Sequence, residues 1–268
     1  MEFRNVAQEA SYWDYTSRKL CWFFDGIASG MIQIPDFQRN RRVTEKHVTD
    51  LLDTVGEGWP IGDVILIETS GESQTGFQAV RGTETVTSQN RHPTHLVVDG
   101  QQRLAPLFQS LHSRRPVTVV EAGNKLGYRK YFIDMRQAVR NQPLMKSIIA
   151  MKVTPDGLVK SSQGPNFNED AAQFADCVIP TNCILDFAHW EDAFSDYWKQ
   201  QGRDDLTAQK ASAVCRHFRE TIVGNFQQYS LPMTLMSGER AWQNVTKFYE
   251  RANGCPAEAV QSRAASRV

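Results

Sequence analysis

Cysteine is scarce and unpatterned in this sequence. The five residues, at 21, 177, 183, 215 and 255, form no Cys-x-x-Cys pair and no His/Cys cluster at zinc spacing. That argues against a disulfide framework and a structural zinc module, and suits reduced thiols in a cytoplasmic protein. Net charge is also missing, since 30 Lys and Arg balance 30 Asp and Glu. The molecule as a whole is therefore not a polyelectrolyte binder, and any contact with nucleic acid needs a local basic patch. No apolar run approaches the roughly 20 residues that a membrane-spanning helix requires. The opening stretch MEFRNVAQEASYWDY has no cationic segment followed by an apolar one, so it does not read as a secretory leader. Internal repeats and low-complexity tracts are absent. What remains is a chain of 268 residues, 41% hydrophobic and 22% charged, with enough length for one large domain or two small ones.

Hydrophobic periodicity places the elements. Leu20, Phe23, Phe24 and Ile27 recur at helical spacing, with Thr16 as the expected N-cap and Gly30 as the stop. MIQIP reads as a short strand. Val48, Leu51, Leu52 and Val55 define a second helix capped by Thr44 and ended by Gly56 and Gly58. A strand follows from Asp63 to Glu68, and the Gly-, Ser- and Thr-rich stretch from Thr69 to Pro93 reads as an exposed loop or hairpin. Leu96–Val98 is a strand; Leu104, Leu107, Phe108 and Leu111 then mark one helical face. PVTVVE and YRKYFIDM are two more strands, Gln142 to Asn168 reads as loop-rich, and DCVIPTNCILDF supplies a strand or buried connection. The last third turns helical: Ala211, Val214, Phe218, Ile222 and Phe226 form one stripe, YSLPMTLMSG is a strand, and GERAWQNVTKFYERANG is a closing helix. The order is that of an α+β protein, β-rich first and helical later.

Three segments carry chemistry. In Asp99-Gly100-Gln101-Gln102-Arg103, a strand gives way to a glycine turn and a helix start, the arrangement that offers backbone N–H groups to an anion. Gly100 lets backbone approach closely, and Arg103 offers a planar fork for phosphate oxygens. Asp99 suits a helix cap, a brace for Arg103, or a Mg²⁺ ligand. Gln101 and Gln102 can orient a water or read a base edge. The second segment, Ile34-Pro35-Asp36-Phe37-Gln38-Arg39, continues into Asn40, Arg41 and Arg42 and makes a basic spot. The third, Glu250-Arg251-Ala252-Asn253-Gly254, closes the last helix. Taken singly, the first fits a plain turn with a surface ion pair just as well, and the second and third are better read as a solvated loop and a helix end.

Together, IPDFQR, a helix, WPIGDVIL, VVDGQQRL and the distant FYERANG resemble one family in order and spacing, from about Phe24 to Cys255. That family is the N-terminal domain of the GmrSD restriction endonucleases. The resemblance implies a ParB/sulfiredoxin-like mixed sheet in the first half with a helical second half. It divides the chain into a nucleotide-binding core at 1–140 and a mainly helical extension at 141–268. It implies nucleoside triphosphate binding and hydrolysis with Mg²⁺, in a bacterial anti-phage system acting on modified DNA. Carried over by position, Asp99, Gln102 and Arg103 become catalytic, with Asp99 on the metal; Gln38, Arg39, Gly100, Gln101, Arg251 and Asn253 bind nucleotide; Arg41 and Arg42 contact DNA. The six histidines (47, 92, 95, 112, 189 and 217) do not pair at nuclease spacing. The family's His-Asn-His nuclease is therefore expected either on a separate polypeptide or lost from a shortened or degenerate gene product, and the chain by itself is expected to have no nuclease activity.

Two departures from the family pattern bear on the reading. NRRV stands where an aromatic pair is usual, and Ala105-Pro106 stands where Thr is usual. Proline cannot donate to the carbonyl of Gln102, so the helix is expected either to begin near Pro106 or to kink there. Two competing functions stand beside hydrolysis: a non-catalytic DNA- or nucleotide-binding module, and a decayed defence gene that folds without acting.

Overall fold

The first buried helix is entered from a strand, not from a cap. In the computed structural model, which describes residues 12–36, 38, 43–69, 76–83, 92–159, 165–201, 205–238 and 241, β1 (Trp13–Lys19) runs directly into α1 (Leu20–Ala28). Thr16, expected as the N-cap, lies mid-strand opposite Met233. A full seven-residue pairing with β10 (Ser230–Met236) outweighs the local capping signal. The helical face itself is as expected, with Leu20, Phe23, Phe24 and Ile27 all buried. β2 (Ile32–Pro35) follows, then α2 (Glu45–Gly56), whose first turn is capped by Thr44 Oγ1 accepting from the His47 N–H at 3.2 Å.

Two sheets organise the described residues. The first has the order β1-β10-β3-β5-β2-β4, with β3 at Val64–Glu68, β4 at Phe77–Gln78 and β5 at His95–Asp99. It is mixed: β10–β3 and β2–β5 are parallel, the other neighbours antiparallel. β10, from the far part of the chain, sits between β1 and β3, so the first sheet draws on both halves of the sequence. The second sheet is built on β7 (Leu126–Asp134), with β6 (Val117–Val120), β8 (Ile148–Lys152) and β9 (Val178–Pro180) all antiparallel to it. β8 falls in the stretch expected to be loop-rich. A bridge from Val43 to Val119 links the approach to α2 with this second sheet.

The helix α3 (Gln101–Leu111) buries Leu104, Leu107, Phe108 and Leu111, the face read from the sequence. Short α4 (Met135–Ala138) and α5 (Asp170–Ala175) precede α6 (Phe187–Gln200), which the sequence reading did not single out. Phe187, Trp190, Phe194 and Trp198 form its buried face, and Trp190 stacks on Phe194 at 5.1 Å. α7 (Asp205–Phe218) continues through a π-helical segment, Arg219–Val223, into α8 (Gly224–Gln228). One hydrophobic cluster runs through α1, α2, α3, α6 and the α7–α8 run, so the helical part is packed onto the sheet and not hung from it. The fold is α+β. Arg129, only 5% exposed, pins the second sheet to the first turn of α2 through Glu45 and pairs within that sheet's own edge with Glu121, each at 2.5 Å. The closing helix read at GERAWQNVTKFYERANG lies outside the described residues, apart from Gly238 and Ala241.

Candidate functional site

The DGQQR turn forms where β5 ends. Asp99 is the last strand residue, Gly100 is left-handed at φ +97°, and α3 starts at Gln101. A Cβ on Gly100 would sit 2.8 Å from Val64 Cγ2 and 3.2 Å from its Cα. The glycine is thus demanded twice, by its dihedral and by the approach of β3. Among the described residues no side chain caps the helix, and Asp99 is not a cap. It braces Arg103 instead, with Oδ2 3.9 Å from Nη1. Arg103 donates Nη1–H to the Asp63 carbonyl at 2.9 Å and lies across Gly62, where a Cβ would meet its guanidinium at 3.2–3.3 Å. The guanidinium is 31% exposed and the Asp99 carboxylate 41%. An Arg and an Asp therefore stand together at the solvent boundary of a helix N-terminus.

Helix α3 neither begins at Pro106 nor ends before it; the proline lies inside. The expected start near Pro106 is corrected by the backbone, since Arg103 N–H and Leu104 N–H already bond the Gly100 carbonyl at 2.9 and 3.0 Å. Arg103 is consequently in the first helical turn. The Gln102 carbonyl, which Pro106 cannot serve, is met by His47 Nε2 at 3.1 Å. The ring must carry its proton on Nε2 to donate there. In the sequence His47 bears only on the question of nuclease ligands; its spacing from Pro106 gives no local signal for this contact.

The upstream segment closes on the same strand. Gln38 is 4% exposed, and its amide nitrogen donates to the carbonyls of Val97 (2.9 Å) and Val98 (2.7 Å), just before Asp99. Gln78 in turn donates to the Gln38 carbonyl at 2.6 Å. The structure therefore sets Gln38 against the end of the strand that leads into Asp99 and Gly100. Arg39, Arg41, Arg42, Arg251 and Asn253 lie outside the described residues. The sequence reading missed Gly62 and Asp63, quoted within WPIGDVIL as a strand lead-in; a glycine just before a strand is the signal that was there.

Other chemistries are poorly served. Burial pushes the Cys177 and Cys183 thiols up to about 11 and that of Cys215 up to about 12, which keeps them protonated at neutral pH. Burial also lowers the imidazole of His95, which bonds Thr94 Oγ1 at 2.9 Å. Among the described residues no group of three or more His, Cys, Asp or Glu is placed to hold a metal, and no helix is long and apolar enough to cross a membrane.

A strand–glycine–helix turn carrying an Arg–Asp pair, on a mixed sheet, is an architecture whose chemistry suits an anion. Residues 20–254 match the family described as GmrSD restriction endonuclease, N-terminal domain, and the chain belongs to that family. It is also 36% identical, over 115 residues, to the uncharacterised protein MJ0686 of Methanocaldococcus jannaschii; the match takes in 42% of this chain and 19% of that relative. This chain is thus a restriction-system module.

Proposed function

We propose that the DGQQR turn binds and hydrolyses a nucleoside triphosphate, in a restriction system acting on modified DNA. The observation that carries the reading is the half-open Arg103–Asp99 pair at the start of α3, with Gln38 of IPDFQR docked on the strand feeding it. Arg103 neutralises phosphate oxygens with the part of its fork that Asp63 does not occupy. Gln102 orients the attacking water. Gln38, buried and bonded to β5, fixes the turn from behind. Catalysis of this kind rests on positioning and charge stabilisation. One exposed carboxylate fits Mg²⁺ that arrives with its phosphates and keeps several waters, since such ions bind through one or two carboxylates. Asp99 would hold it, and the ion would supply charge neutralisation at the phosphates. Arg39, Arg251 and Asn253 are proposed to complete the nucleotide contacts and Arg41 and Arg42 to contact DNA, with a separate His-Asn-His nuclease as partner.

Titration of GTP, ATP and CTP with and without Mg²⁺, followed by steady-state phosphate release, tests this. Arg103→Lys, which keeps the charge but loses the fork, is expected to retain the fold and slow release at least tenfold. Equal release by wild type and variant would end the hydrolytic reading. One observation favours binding without turnover: Arg103 is partly committed to its own fold through the Asp63 carbonyl and Gly62. On that alternative, nucleotide is retained and no phosphate appears.

A further inference from the structure

Trp59 is the most exposed of the described large apolar side chains, at 66%. An indole held out in water keeps a large apolar face available for a ligand to stack on. Its backbone, by contrast, is fastened on both sides. The Trp59 N–H donates to the Thr54 carbonyl at 2.8 Å. Its carbonyl accepts from the Tyr229 hydroxyl at 2.7 Å, and the same hydroxyl accepts the Ile61 N–H at 3.1 Å. Pro60 follows and restricts Trp59 to extended backbone. The loop that presents the ring is therefore stiff, and an exposed aromatic on a stiff loop binds with little ordering entropy to lose.

The same loop carries the floor of the Arg103 site. Gly62, on which the guanidinium rests, lies three residues after Trp59, and Asp63 supplies the carbonyl that Arg103 bonds. Three residues of chain reach at most about 11 Å. The Trp59 backbone thus stands within about 11 Å of the glycine that the Arg103 guanidinium covers, a distance on the order of a nucleotide's length.

We propose that Trp59 is the nucleobase platform of this site. The inference rests on the phosphate-binding reading of Arg103 and adds the base to it. Stacking on an indole is tolerant of base identity, because every base presents a π-face, so the platform holds purine and pyrimidine nucleotides alike.

The test compares nucleoside triphosphates with inorganic tripolyphosphate, which has the phosphates and no base. Calorimetric titrations are run with Mg²⁺ on wild type, Trp59→Ala, Trp59→Phe and Arg103→Lys, each checked for native circular dichroism. Trp59→Ala is expected to weaken nucleotide binding roughly tenfold to a hundredfold. Tripolyphosphate binding stays unchanged, Trp59→Phe recovers most of the loss, and Arg103→Lys weakens both ligands. If Trp59→Ala leaves nucleotide affinity intact, or weakens both ligands equally, the platform assignment is wrong while the phosphate site stands. If wild type takes up neither ligand, the phosphate-binding reading fails and the platform goes with it.

Discussion

Pro106 removes one hydrogen bond from the helix that bears the DGQQR motif, and His47 replaces it from α2. The replacement gives a quantitative prediction. His47→Ala leaves the partly buried Gln102 carbonyl without its donor, which costs about 1–2 kcal/mol. For a chain of this size that lowers Tm by roughly 2–4 °C per kcal/mol. In a Pro106→Ala background the restored backbone N–H reaches the same carbonyl along the helix, so deleting the imidazole there costs only a few tenths of a kcal/mol. The double-mutant cycle should report a coupling of about 1 kcal/mol. The effect of Pro106→Ala alone does not enter, because the cycle subtracts it, including any cavity left by the buried ring. Urea unfolding followed by tryptophan fluorescence and circular dichroism supplies all four stabilities, with equal m-values as the check on two-state behaviour. Equal costs for His47→Ala in the two backgrounds would refute the idea that the histidine stands in for the missing amide. Loss of the imidazole should also loosen the first turn of α3, so nucleotide affinity is expected to fall in His47→Ala and to return in the double variant.

Four further outcomes are expected. Gly100→Ala combines a φ of +97° with a 2.8 Å approach to Val64; strain alone costs about 1–3 kcal/mol, and a Tm within a degree of wild type would contradict it. Burial raises the Asp53 carboxyl, helped by Glu57 and Asp50, so the folded state holds that proton more tightly than the unfolded chain does; stability contributed by Asp53 is lost as pH rises above the ordinary carboxylate range. Asp53→Asn should therefore raise Tm at pH 7 and lose that advantage near pH 4, as differential scanning across pH reads directly. Replacing both carboxylates, Glu45→Gln with Glu121→Gln, should lower Tm more than Arg129→Met, because it strands a buried guanidinium while the reverse change strands carboxylates that water can reach. At the outer edge of β1, Asp14 Oδ1 accepts the Tyr15 N–H at 2.8 Å and Arg18 Nη1 donates to the Ser17 carbonyl at 3.1 Å; Asp14→Ala with Arg18→Ala uncovers that edge, and sedimentation velocity should show self-association.

What the sequence made legible, and what it did not, divides by the range of the interaction that decides each element. The turn at Asp99-Gly100 was readable because every signal for it is local: an apolar run, a residue pair that breaks it, and a 3.6-residue period after it. The Thr44 cap and the buried face of α2 were readable for the same reason. Thr16 was misread because its strand state is imposed by β10, which only the completed fold delivers. β8 was missed because Met151 is its one buried residue, so no alternation marks it. α6 did carry a helical pattern, in four aromatics, yet was not singled out.

The site shows the same division. Asp99, Gly100 and Arg103 are one local string, but what makes them a site is distant in the chain. The Asp63 carbonyl that orients Arg103 lies 40 residues upstream, and Gln38 is 60 residues from the Val98 carbonyl it bonds. Local rules also misjudged Pro106, because they count only the bond it removes and cannot see an imidazole arriving from another helix. A family resemblance names the string; the glycine at 62 and the imidazole at 47 become functional candidates only when the fold sets them against it, and Trp59 only because it shares the Gly62 loop. That is why the chemistry of this domain is better probed at these three positions, where a change alters support and the proposed base contact separately, than by deleting the motif itself.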